Sequence, residues 1–268
     1  MTDVRTSVIA DLEAEGAQLE SWVAPLDPAV WDTVTTPEGW TIRHQIGHLA
    51  WTDEASLLAI HDPAAFGESL KLAAANPEHY VDEGAEEWAA RQPAEILERW
   101  RDGRTRLATS LAEVPDGEKI GWYGPPMAPT SMATARIMET WAHSHDVAEA
   151  LGITPPQTDR CKHVCHLGVR TRGFAYLMRG EQAPDVEIHV ALTGPSGDLW
   201  TWGSVEAEQR VTGSGYDFAL LATRRRHVED VDVHAEGDDA VHWLTIIQAF
   251  AGLPGNDPQR LAERKVGR

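Results

Sequence analysis

The chain is poor in the features that mark secreted, membrane-bound or nucleic-acid-binding proteins. Only two cysteines, Cys161 and Cys165, occur in 268 residues. That is too few for a disulfide framework and suits a reducing, intracellular setting. No apolar run approaches the roughly 20 residues that a membrane span needs. Cationic residues are scarce: 23 Lys and Arg stand against 42 Asp and Glu, a formal charge of −19. Such a balance excludes the basic face that duplex nucleic acid requires and disfavours anionic membranes. Solubility in a cytoplasm accounts for it. The N-terminal stretch is acidic and amphipathic, unlike a signal peptide. There is no internal repeat and no low-complexity tract.

What is present is enough to build a core. Hydrophobic residues make up 42% of the chain, which also carries 11 Trp. Apolar residues recur at helical spacing from Val4 to Val23, through Val8, Ile9, Leu12, Leu19, Trp22 and Val23. Pro25, Pro28 and the segment TTPEGW then read as a loop. Thr41 is placed to N-cap a second helix with a stripe of Ile42, Ile46, Leu49, Asp53, Leu57 and Ile60, which Pro63 ends. Residues 64–84 are mixed and read as a short helix with a loop. A third long helix is expected from Pro93 to Val114. A loop rich in Gly and Pro follows, and then a fourth helix from Ser131 to Leu151. Four long helices joined by loops predict a bundle.

The segment GITPPQTDR after Leu151 marks a domain boundary, giving units of 1–155 and 156–268. Beyond it, CKHVCHLGVRTRGFAYLMRG reads as one helix. Residues 185–193 alternate like a strand, LWTWGS, EAEQRVTG and DVDVHAEGD read as further strands, and YDFALLATRRR and DDAVHWLTIIQAFAG read as helices. The fold class expected is α plus α+β: a helical bundle followed by a smaller α+β domain. The tail after Pro254 is polar and expected to fray.

The stretch Glu139-Thr-Trp-Ala-His143 carries the chemistry. Glu139 and His143 are four residues apart on one helix, so they share a face. A carboxylate and an imidazole so placed can bind one divalent ion, although an isolated pair of this kind is more often a surface hydrogen bond. The bundle puts the second and fourth helices in one core, which makes His48 the natural third ligand. Two neutral imidazoles and one carboxylate suit Zn²⁺, Ni²⁺ or Fe²⁺ and leave positions open for water or substrate. His145 lies about 200° around the helix from His143, too far to share that ion. Cys161 and Cys165, with His163 and His166 between and beside them, lack the spacing of a zinc knuckle and read as buried or neutral thiols. Trp22, Trp51, Trp100 and Trp141 read as core or pocket wall. Trp122 and Tyr123 read equally as a pocket cap or a loop anchor.

GWTIRHQIGHLAW followed by METWAHSHDVAEALG resembles the mycothiol-dependent maleylpyruvate isomerase family, part of a DinB-like superfamily of metal-binding four-helix bundles. The resemblance covers about the first 155 residues. It implies His48, Glu139 and His143 as metal ligands, and Asp146 as a residue near the substrate that orients a bound group or relays a proton. The sequence departs from the family pattern at His44, where an acidic residue is usual. This opens the question of a fourth protein ligand. The second half resembles the sterol-carrier-like domain that often follows this bundle. There an Arg helps bind an anionic substrate, and among Arg224, Arg225 and Arg226 the best match is Arg225.

The resemblance implies a cytoplasmic enzyme for a small molecule, using a divalent metal (Zn first, Ni or Fe as alternatives) and a low-molecular-weight thiol such as mycothiol. The thiolate adds to an electrophilic, anionic substrate, giving isomerisation or S-transfer in the cleft between the domains. The rival readings are a metal-binding carrier of apolar ligands without turnover and a metal-dependent hydrolase using bound water.

Overall fold

The computed structural model describes residues 3–253 and 255–263. The chain divides into two compact units, Met1–Pro155 and Pro156–Arg268. Among the described residues no helix is long and apolar enough to cross a membrane.

The first unit is built on four long helices: α1 (Val4–Val23), α2 (Ile42–His61), α5 (Pro93–Glu113) and α6 (Pro129–Leu151). Both α1 and α2 pack against α5 and α6, and α2 packs more extensively on α5 than on α6. The starts of α5 and α6 are chemically marked. Pro93 and Pro129 sit in the first turns of α5 and α6, where the missing N–H costs nothing. Gly152 ends α6 in the left-handed conformation that glycine adopts freely.

The segment expected to hold one short helix and a loop instead carries two helices, α3 (Pro63–Ala75) and α4 (Tyr80–Ala89). Asp62 caps α3 by accepting from the Ala65 N–H at 3.0 Å, so Pro63 starts a helix as well as ending one. The seating of α4 on α2 rests on two glycines. A Cβ at Gly47 of α2 would meet Trp88 Cβ at 2.8 Å, and one at Gly84 of α4 would meet the Trp51 indole at 2.9 Å. Each helix thus offers a bare notch to a tryptophan of the other.

The apolar core of this unit forms two clusters. One gathers Leu19, Ile42, Ile46, Leu49, Trp88, Ile96, Trp100 and Val147; the other gathers Val8, Leu12, Leu57, Phe66, Leu107, Leu111 and Ile137. Along α2 and α6 the stretch between these clusters is polar. Thr52 and Asp53 occupy it on α2, and Glu139, Thr140, His143 and Ser144 on α6.

The second unit holds a four-stranded sheet in the order β2-β1-β3-β4: β1 (Ile188–Thr193), β2 (Leu199–Trp202), β3 (Gln209–Ser214) and β4 (Val233–Glu236). β1 and β3 run parallel, with Val190 opposite Val211, and the two outer pairings are antiparallel. Ile188, Val190 and Leu192 alternate onto the buried face, where α9 (Gly215–Ala222) and α10 (Asp238–Ile246) contribute Phe218 and Trp243.

The single helix expected over 161–180 is two, α7 (Cys161–Arg170) and α8 (Arg172–Met178), broken at Thr171. The Thr171 hydroxyl donates to the Gln248 carbonyl at 2.8 Å, a tertiary bond that no local pattern announces. Helix α10 stops before the expected end because Ile247 turns extended and the Ala249 N–H bonds to Ala222 O. Pro254 and residues 264–268 of the tail lie outside the described residues; Leu261–Glu263 form a single 3-10 turn.

Candidate metal centre

Helix α2 enters the site through its cap. The Thr41 N–H donates to His44 Nδ1 at 3.1 Å, and His44 Nε2 lies 2.8 Å from Glu86 Oε2 of α4. Both ring nitrogens of His44 are therefore engaged in capping and pairing. That answers the fourth-ligand question: His44 serves as the N3 residue of the cap, where Glu or Gln is the usual partner of a capping Thr.

One turn further on, His48 is buried and turns Nε2 toward Glu139 Oε2 at 3.7 Å. His143 brings its own Nε2 to 3.4 Å of the same oxygen. One ligand atom from each of His48, Glu139 and His143 lies within 4.8 Å of the others, a cluster able to hold one ion. Among the described residues no other such group of His, Cys, Asp or Glu occurs.

The surroundings fit that use. His143 Nδ1 is 2.5 Å from Gln45 Oε1. The amide oxygen can only accept, so the ring donates through Nδ1, and Nε2 is the nitrogen that would bind a metal once unprotonated or, when protonated, donates to Glu139. Gln45 is fixed in turn, because its Nε2 donates to Thr35 Oγ1 at 2.8 Å, which donates to the Trp40 carbonyl at 3.0 Å. The Trp40 indole stacks on His143 at 5.8 Å and 11° and lies 5.4 Å from the His48 ring. Trp51 lies 5.9 Å from His48 on another side.

Burial opposes ionisation of Glu139, but hydrogen bonding to His143 and His48 outweighs it and holds the carboxyl well below its ordinary range. Glu139 is thus a carboxylate at neutral pH. About 24% of its side chain is exposed, the most open face of the three.

Asp146 is buried on α6, with Oδ2 4.0 Å from His143 Nδ1, the nitrogen that faces away from Glu139. Arg225 belongs to the second unit, just past α9, and donates from Nη1 to Thr223 O at 2.7 Å. His145 bonds through Nδ1 to Trp141 O at 2.7 Å and stands outside the ligand cluster. Cys161 and Cys165 are free and buried in the second unit; Cys165 Sγ donates to Gly215 O at 3.0 Å. Tyr123 packs on Trp51, Phe66 and Tyr80, anchoring its loop to α2, α3 and α4.

Sequence reasoning passed over two parts of the site. Gln45 precedes His48 by three residues and so shares its face, the one signal that marks it. The other is an ion pair inside the bundle, Arg136 Nε to Asp53 Oδ1 at 3.0 Å, with side chains 1% and 6% exposed. Burial pushes the Asp53 carboxyl up, against the lowering effect of Arg136.

Comparison with known proteins adds to this geometry. The sequence matches the family described as mycothiol maleylpyruvate isomerase N-terminal domain over residues 12–148. Uncharacterised proteins from two strains of Mycobacterium tuberculosis are 53% identical over 247 residues, covering 92% of this chain and 96% of theirs. Crystal structures of the mycothiol-dependent maleylpyruvate isomerase and of a histidine-to-alanine mutant of it share the fold. Each has a TM-score of 0.59 at 16% identity, covering 90% of this chain and 99% of theirs.

Proposed function

The chain belongs to the mycothiol maleylpyruvate isomerase family, and from that membership we propose a metal-dependent enzyme that uses a low-molecular-weight thiol of the mycothiol type. Its substrate is small, electrophilic and anionic. The reaction is isomerisation by thiolate addition, bond rotation and elimination, or S-transfer where elimination does not follow. The observation that carries this reading is the convergence of His48 Nε2, His143 Nε2 and Glu139 Oε2, with Gln45 holding the His143 tautomer. Such a donor set favours Zn²⁺, then Ni²⁺ or Fe²⁺.

A divalent ion bound there lowers the pKa of a coordinated thiol and keeps the nucleophile available at neutral pH. The chain's own residues set the conditions for that. Glu139 stays ionised and gives the site a negative ligand. Gln45 fixes the His143 ring. Trp40 and Trp51 flank the imidazoles and limit the approach of water. Asp146, behind His143, orients a bound group or relays a proton, a role supported by family resemblance. Arg225 holds the substrate carboxylate, a role supported by family resemblance alone.

Elemental analysis of native protein beside His48→Ala tests the site. One equivalent of Zn, Ni or Fe in the native protein, absent from the variant, is expected. Mycothiol with maleylpyruvate is then the first pair to assay. A native protein that neither contains nor takes up a divalent ion removes the mechanism and favours a carrier.

A further inference from the structure

We propose that the buried Arg136–Asp53 pair is the positioning device of the metal centre, setting the register between α2 and α6 that lets His48 meet Glu139 and His143. This rests on the metal-site reading above and adds two residues to it.

Arg136 precedes Glu139 by three residues and His143 by seven, so all three lie on one face of α6. Asp53 lies on the turn of α2 beyond His48. Arg136 spans the seam twice. Its Nε bonds Asp53 Oδ1 at 3.0 Å, and its Nη2 reaches the carbonyl of Leu49, the residue after His48, at 3.4 Å. One guanidinium on the helix of two ligands thus grips both a side chain and the backbone of the helix that carries the third.

Stability alone does not explain the pair. Replacing a buried ion pair by well-packed apolar residues is often neutral or stabilising, because desolvation offsets the attraction. Here the cost is plain: burial pushes Asp53 up even beside a guanidinium, and Arg136 Nη1 is buried without a partner among the described residues. The best-attested return on such a cost is helix register. Register matters on this seam because α2 packs less extensively on α6 than on α5. A slip of one residue would move His48 by about 1.5 Å along the axis and 100° around it, out of ligand range.

The test measures Co²⁺ affinity by chelator competition, together with the visible ligand-field spectrum, on metal-stripped protein. The native chain is compared with the combined Asp53→Leu and Arg136→Met variant, with Arg136→Lys, and with Leu111→Ala as a control for lost stability alone. Affinity is expected to fall about tenfold or more in the double variant, the range seen when outer partners of metal ligands are removed, with an altered spectrum. Leu111→Ala should keep both. Arg136→Lys keeps the charge but not the fork, so it should fall between native and double variant; it supplies the measurement if the double variant does not fold. Native affinity and spectrum in the folded double variant, or in Arg136→Lys if only that folds, would overturn the proposal while leaving the metal site intact. Absence of Co²⁺ binding by the native protein would instead remove the site itself.

Discussion

The two units differ most in what they bury. The first hides Gln45, His48, Asp53, Arg136, Thr140, His143 and Asp146 along the seam of two helices. Among the described residues the second buries no carboxylate. Its buried polar groups are His189, Thr223 and Gln248, and its core is Val190, Leu192, Val211, Phe218 and Trp243. Where that unit tucks a guanidinium in, the partner stays in water: the Arg224 side chain is 7% exposed and bonds Asp257, a carboxylate that is 72% exposed. Buried charge costs stability unless it is paired. The first unit accepts this cost for both partners of an ion pair, Arg136 and Asp53, whereas the second leaves the carboxylate partner in water.

That contrast can be broken at its dry end first. Phe218→Ala should cost about 3–5 kcal/mol of stability, the usual range for a buried aromatic, and leave metal content at the native level. Chemical denaturation and elemental analysis read the two quantities, and loss of metal would show that the contrast is not one of function.

At the polar end, Gln45→Leu should lower metal affinity about tenfold, as removal of a partner of a ligating histidine does. Chelator competition measures this, and unchanged affinity would mean that Gln45 does not set the His143 tautomer.

A subtler effect concerns acid. Glu139 has a folded pKa below its unfolded value, so it adds stability above about pH 4.3 and loses that contribution as pH falls through the lower folded value. In metal-stripped protein the stability gap between native and Glu139→Gln should narrow as pH drops below about 4. A gap constant down to pH 2 would contradict the assignment.

The smallest signal comes from the thiols. Burial pushes the Cys165 thiol well up, and neither cysteine is exposed. Native protein should stay inert to a thiol reagent that labels both on unfolding.

Helix positions were readable wherever a long element buried one face: α1, α2, α5 and α6 follow from apolar spacing, helped by Thr41 before α2 and Pro93 at the start of α5. The meeting of His48, Glu139 and His143 was legible because Glu139 and His143 share a turn and because the two motifs resemble those of the mycothiol-dependent isomerases, which carried most of the weight for the set. What escaped depends on contacts distant in sequence. Beyond its spacing of three from His48, nothing local distinguishes Gln45 from a surface amide until His143 stands opposite it. Asp53 appeared in the expected stripe of α2 without its partner, since Arg136 lies some 80 residues away. α4 was missed because its place rests on glycine notches, and Thr171 breaks a helix for the sake of a bond to Gln248.

The two notches are unequal, and the difference bears on how the sequence can evolve. At Gly84 the obstacle is the indole of Trp51, so a larger residue there can be compensated by a smaller one at 51. At Gly47 the obstacle is Trp88 Cβ, with the backbone of residues 88 and 89 just behind it, atoms that almost any residue on α4 would present. In descendants of this chain, positions 84 and 51 are expected to drift as a pair, while position 47 stays fixed for as long as α4 keeps its seat beside His48.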